Sequence, residues 1–240
     1  MGANIGTTVT AAPGYPELAV KNLAELTGID FKNSEDLIAA TSDCGAYMTL
    51  SSAIKGLAVK MTKVCNDIRL LASGPRCGLK EINLPQLQPG SSIMPGKVNP
   101  VAAEVANQAS FLAIGLDTTV MLAASAGQLE LNVMEPVITY ALYTQMKVMS
   151  NACDTLRTKL VEGVTANTER CKDYVMNSIG IVTLLKPHFG YQKCAAIAKE
   201  GYTTGKSLHQ IVVDEQHLMT QAEWDATFNT QNLIHPKFVK

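Results

Sequence analysis

Charge of either sign in excess is missing from this sequence: 20 Lys and Arg stand against 21 Asp and Glu, a net charge of −1 over 240 residues. That balance gives no bulk attraction to nucleic acid or to an anionic membrane, and neither an acidic nor a basic tail is present. Aromatic residues are only 5% of the chain, too few for a β-sandwich, which draws on aromatic and β-branched side chains. The six cysteines are widely spaced and contain no CxxC pair, and reduced thiols in a cytoplasmic protein are expected. His188, His209, His217 and His235 form no HExxH or paired-ligand spacing, and no metal site is expected. The first sixteen residues have neither the basic region nor the apolar run of a targeting peptide. A membrane span is suggested only by residues 109–126, where Asp117 sits mid-stretch at a cost of about 2.5–3.5 kcal/mol on insertion scales. No membrane role is expected.

What is abundant is apolar and helix-forming. Hydrophobic residues make up 47% of the chain, with Ala, Leu, Val and Met prominent, so the expected class is all-α. Pro16 to Thr27 reads as a short helix closed by Gly28. Ser34, with Glu35 and Asp36 behind it, reads as the cap of a second helix running to about Ser73. Leu50, Ile54, Leu57, Met61, Val64, Ile68 and Leu71 recur at spacings of four and three, a heptad seam. Forty helical residues would span about 60 Å and call for partner helices. A third helix follows Pro100, apolar nearly all round and therefore expected to be buried on all sides. Pro136 opens a fourth, which Gly163 closes. Three such helices imply a bundle that associates through its apolar faces. Residues 1–163 are read as a helical-bundle domain and 164–240, with shorter and more punctuated segments, as a small helical domain.

Between the second and third helices, the loop 90–99 leads into Pro100 and concentrates chemistry in ten residues. Asn99 is a good helix cap and Pro100 suits the first helical position. Lys97 adds a cation, Ser91 and Ser92 add hydroxyls, and Gly90 permits close backbone approach. With the backbone of Gly90, Ile93 and Met94, these make a candidate anion site at the positive end of a helix. A plain turn before a helix would account for the serines and glycines taken singly.

The segment GSSIMPGKVNP resembles the signature loop of the aspartase/fumarase superfamily. The likeness extends through ATSDCGAY, NDIRLLASGPRCGLKEINLP, EVANQ, AGQLELNVMEPVI and YVMNSIGIVT, which are more similar to aspartate ammonia-lyases than to fumarate hydratases. The resemblance implies a cofactor-free lyase, tetrameric through a shared helical bundle and working on L-aspartate and fumarate. It implies that the loop is mobile, that Ser91 is the general base, and that Ser92, Lys97 and Asn99 bind the substrate carboxylates. Glu104 matches a carboxylate that pairs with a histidine of another subunit. The superfamily builds each site from three sequence regions on three subunits, and only the third is recognisable here. The chain is thus expected to resemble the C-terminal half and to need a complementing N-terminal half. Fumarate hydratase, or a non-catalytic helical scaffold that binds lyase subunits, is the alternative.

Other motifs read as structural. Gly201 to Ser207 is one residue short of a phosphate loop and follows no apolar strand, so it is expected to be a helix break. Cys44 is expected to be a buried thiol, and Trp224 and Phe228, four apart, a packed helix face.

Overall fold

The computed structural model describes residues 4–235. It is all-α and divides into two compact units, Met1–Thr165 and Ala166–Lys240. The first holds α1 (Tyr15–Thr27), α2 (Gly45–Leu71), α3 (Val101–Ser125) and α4 (Glu135–Lys159). The two-residue strands β1 (Ile82–Asn83) and β2 (Thr165–Ala166) pair into the sheet found among the described residues.

Helix α1 forms as the sequence implies. Pro16 occupies its first turn, and Gly28, at φ 72°, ends it in the left-handed conformation while donating its N–H to Ala24. The expected forty-residue helix from Ser34 does not form: α2 begins at Gly45 and has 27 residues, about 40 Å at 1.5 Å per residue. Local carboxylates satisfy the backbone differently. Asp36 accepts the amides of Ile38 and Ala39 at 2.9 and 3.0 Å, starting a short 3₁₀ turn, and Asp43 accepts that of Gly45. Thr41 and Ser42 then donate their hydroxyls to the carbonyls of Glu130 and Leu129, far along the chain.

The bundle closes on small side chains. Ala58, Met61 and Cys65 of α2 pack with Ala102, Ala103, Ala106 and Ala113 of α3 and with Met149 and Ala152 of α4. Alanine faces let helix backbones approach closely. The heptad seam splits accordingly. Met61 turns inward with Ile54 and Ile68 beside it, while Leu50, Leu57 and Val64 are 43, 47 and 51% exposed. Nor is α3 buried on all sides: Val105, Phe111, Leu112, Met121 and Leu122 are exposed. Two neighbouring helices cover only part of a rod's circumference, so one apolar face stays open in a single chain. By length and composition α3 could cross a membrane, yet its mid-helix Asp117 is buried in a polar layer.

In that layer the Ser51 hydroxyl donates to Asp117 Oδ1 at 2.7 Å and Lys55 pairs with Oδ2. Gln145 of α4 donates through Nε2 to Ser51 Oγ and to the Ala113 carbonyl, so one network ties the three helices at a single level. Burial pushes the Asp117 carboxyl up, but the hydrogen bonds from Lys55 and Ser51 and the Lys55 charge outweigh it and hold the group below its ordinary value.

Asn132 fixes the elbow between α3 and α4. Its Nδ2 donates to the carbonyls of Ala123 and Ala124 at the end of α3, its Oδ1 accepts the amide of Met134, and its backbone amide donates to Thr41.

The second unit contains α5 (Thr168–Met176), α6 (Lys186–Thr204), α7 (Gln221–Thr227) and α8 (Thr230–Ile234), with a 3₁₀ segment at Ile179–Leu185 and a π-helical turn at Gln210–Glu215. Its core gathers Leu185, Ile197, Leu208, Ile211 and Val212 around Trp224 and Phe228, whose rings stack with centroids 3.9 Å apart. Gly205, at φ 72°, terminates α6, and Lys206 beyond it pairs with Glu215; the segment is a helix end, as read from the sequence. Cys44, in the first unit, is buried against Asn132.

Candidate active site

Residues 90–97 form a closed hairpin made by glycine. The Gly90 amide donates to the Lys97 carbonyl at 2.9 Å, and the Gly90 carbonyl accepts from Asn99 Nδ2 at 2.8 Å. A Cβ on Gly90 would stand 2.4 Å from the Lys97 oxygen, so a side chain there would force the strands of the hairpin apart. The tip turns through Met94, Pro95, Gly96 and Lys97. Pro95 precedes Gly96 at φ 78°, and the Lys97 amide donates to the Met94 carbonyl at 3.2 Å, as expected of a type II turn.

Inside this hairpin the Ser91 hydroxyl oxygen accepts two backbone amides, those of Ile93 and Met94, each at 3.2 Å. Two N–H dipoles converging on one oxygen favour a negative charge there. The amides expected to meet an external anion are thus aimed at Ser91 itself. Gly90 likewise approaches Lys97 rather than leaving its backbone open.

The expected cap is corrected. Asn99 does not cap α3; Pro100 stands at the cap position with no side-chain bond to the helix. The Asn99 amide is engaged with Gly90 instead, which closes the loop, and the Val101 N–H is taken by the Asn99 carbonyl. The loop still delivers Lys97 and Asn99 to the positive end of α3.

Two clefts flank the hairpin. One, of about 360 Å³, is bordered by Ser91, Met94 and Lys97; the other, of about 580 Å³, by Lys97, Asn99, Arg69 and Lys80. Lys97 therefore borders both, Ser91 the smaller and Asn99 the larger. Ser92 and Ile93 are exposed and border neither, and Glu104 is half-buried in the first turn of α3. Arg69 and Lys80 were not picked out from the sequence. Arg69 lies in the last turn of α2, and Lys80 arrives because residues 73–81 fold back on that helix end: the Lys80 amide donates to Ser73, and that of Glu81 to Leu71. A basic residue in a helix's last turn before Gly-Pro is the signal that was available.

Of the histidines, His209 contacts Gln221 at 2.8 Å and lies edge-on to Trp224, and His217 bonds the Val213 carbonyl. Cys44, Cys65 and Cys194 are buried thiols, and Cys77 and Cys153 are exposed.

Known proteins match this chain along nearly its full length. The family described as Lyase matches residues 1–115, and that described as Fumarase C C-terminus matches residues 181–235. An aspartate ammonia-lyase of Escherichia coli is 56% identical over 234 residues, covering 98% of this chain and 49% of the relative. The solved fumarate lyase:delta crystallin of Brucella melitensis bound to cobalt superposes with a TM-score of 0.87 at 41% identity, covering 93% of this chain and 48% of that one. A class II fumarase of Schistosoma mansoni gives a TM-score of 0.88 at 31% identity, covering 97% and 51%. The chain spans about half the length of the curated relatives it matches. Helical fold and sequence are shared with these proteins, and the chain matches lyases of the aspartase/fumarase superfamily over about half of their length.

Proposed function

We propose that the whole protein is an aspartate ammonia-lyase, converting L-aspartate reversibly to fumarate and ammonia, with Ser91 as the general base. The observation that carries this reading is the pair of amides, Ile93 and Met94, that meet on the Ser91 oxygen. A serine hydroxyl is a weak base, and its conjugate alkoxide becomes usable only where fixed donors stabilise it. Ser91 takes the proton from the carbon next to the one bearing nitrogen. The electron pair left behind is delocalised into the adjoining carboxylate, which Ser92 binds. Collapse of that aci-carboxylate forms the carbon–carbon double bond and breaks the carbon–nitrogen bond, releasing ammonia. Lys97 and Asn99 hold the other carboxylate, at the positive end of α3. No cofactor enters this scheme.

Glu104 pairs with a histidine from another subunit, and the groups that receive the ammonium come from regions this chain does not hold. The enzyme is therefore a homotetramer, or this chain joined by a complementing N-terminal half. The exposed seam of Leu50, Leu57 and Val64 and the open face of α3 support that assembly. Reduced thiols such as Cys44, Cys65 and Cys194 suit a cytoplasmic location.

The second reading is fumarate hydratase, favoured by the likeness to the Schistosoma fumarase. Fumarate formation is measured from aspartate and from malate with the complementing half supplied. Turnover of aspartate is expected, and activity on malate alone would reject the ammonia-lyase. Ser91→Ala should lower kcat by about 10²–10⁴, the range for a general base. An undiminished variant would remove Ser91 from that role, and partner binding without turnover would favour a scaffold.

A further inference from the structure

The larger cleft beside the hairpin carries more positive charge than the scheme above uses. Arg69, Lys80 and Lys97 border it with the amides of Asn83, Gln86 and Asn99, and among the described residues that line it none is acidic. Like charges gathered around a concavity raise its potential and draw in an anion.

Arg69 is also held in place by neutral groups. Its Nη1 donates to Asn66 Oδ1 at 3.4 Å, and the same oxygen accepts from Asn107 Nδ2 at 2.8 Å. Asn107 lies on the packed face of α3 and is only 3% exposed, so this chain of side chains starts in the bundle interior and ends at the guanidinium. An amide oxygen orients an arginine without cancelling its charge, whereas a carboxylate would cancel it. No described carboxylate forms an ion pair with Arg69. The planar fork of arginine matches a carboxylate or phosphate edge in two parallel bonds, which a lysine cannot supply.

We propose that this cleft is a subsite for one carboxylate of a small dicarboxylic acid, with Arg69 making the two-point contact and Asn66 and Asn107 positioning it. The choice of a dicarboxylate rests on the lyase reading, through Lys97 and Asn99, which border the same cleft. Arg69 is then a specificity-determining residue: it selects substrates that carry a second acid group.

The test is calorimetric titration of the 240-residue chain, alone and with the complementing half, using succinate as an unreactive diacid and inorganic phosphate as the competing oxyanion, at constant ionic strength. Succinate should bind, and Arg69→Gln should weaken it by about tenfold or more, the scale of a charged hydrogen-bonded contact. Arg69→Lys, which keeps the charge and the fold but lacks the fork, should stay weaker than wild type. Asn66→Ala should weaken binding by about threefold with an unchanged thermal melt, as loss of one neutral orienting bond. Equal succinate affinity in Arg69→Gln and wild type would overturn the proposal. So would failure of succinate to bind in either setting, or Arg69-dependent binding of phosphate in its place. The two readings separate cleanly. Normal turnover with an unchanged KM in Arg69→Gln removes the subsite and leaves the lyase, whereas Arg69-dependent succinate binding without turnover removes the lyase and leaves the subsite.

Discussion

In the unit Met1–Thr165 the helices meet largely on Ala58, Ala103, Ala106, Ala113 and Ala152; Met61, Met149, Ile138 and Leu160 are buried with them, but many large apolar residues, Leu57, Phe111 and Leu122 among them, stay outside. In the unit Ala166–Lys240 the large residues, Trp224, Phe228, Ile197 and Leu185, are the ones inside. The first unit uses small residues to bring backbones together and leaves much of its apolar bulk on the surface; the second gathers its largest rings in its core. A core of Trp, Phe, Ile and Leu buries enough apolar area to fold a short segment, whereas an alanine seam gains its stability from close packing, hydrogen bonding and whatever covers the open faces.

The largest effect that tests this contrast should come from Trp224→Ala. Truncating the stacked ring at the centre of the second unit should cost about 3–5 kcal/mol, read by denaturant unfolding followed by circular dichroism; a loss under about 1 kcal/mol would show that the aromatic pair does not hold that unit. In the first unit Asp117→Asn should cost about 1.5–3 kcal/mol, since the layer's hydrogen bonds are to a charged group. The sign of its pH dependence is fixed by the depressed carboxyl. The stabilisation is complete above the ordinary Asp value of about 3.9 and disappears as pH falls from there through the lower folded value, while the Asn variant shows no such loss. Thermal melts of both proteins across that range check it.

Helix ends were the most legible part of the fold, because Gly28 and Gly205 announce themselves locally, and so were Trp224 and Phe228, whose spacing puts them on one helix face. Ser34 misled because Asp36 and Asp43 close turns that compete with a helix, and because Thr41 and Ser42 find their partners at Glu130 and Leu129, where no local pattern could place them. The seam was visible, yet which half of it the chain covers depends on where α3 and α4 lie. At the site, the hairpin could be read because its serines, glycines and lysine are contiguous. The role of Asn99 in closing the hairpin was not legible, since a cap and a loop tie want the same residue. Arg69 escaped notice because α2 and the fold-back of residues 73–81, not sequence proximity, bring it beside Lys97.

Smaller perturbations sharpen the contrast. Ala106→Leu, an added isopropyl group in a seam that is 1% exposed at this position, should destabilise by about 1–3 kcal/mol through overpacking, measured by the same unfolding curves. Leu57→Gln lies on the open half of the seam and should change the stability of the isolated chain by no more than about 0.5 kcal/mol. Its effect should appear instead in sedimentation, as a shift toward the monomer. A monomeric wild type with identical sedimentation would separate the open face from assembly.

Asn132 has its amide nitrogen, amide oxygen and backbone N–H all committed, to the last carbonyls of α3, the first turn of α4 and Thr41. One residue more or fewer between Gly127 and Asn132 would carry the latter's two N–H donors out of register with Ala123, Ala124 and Thr41. The bend between the two rods thus has a fixed length: sequence drift there can exchange side chains, but insertions and deletions are shut out.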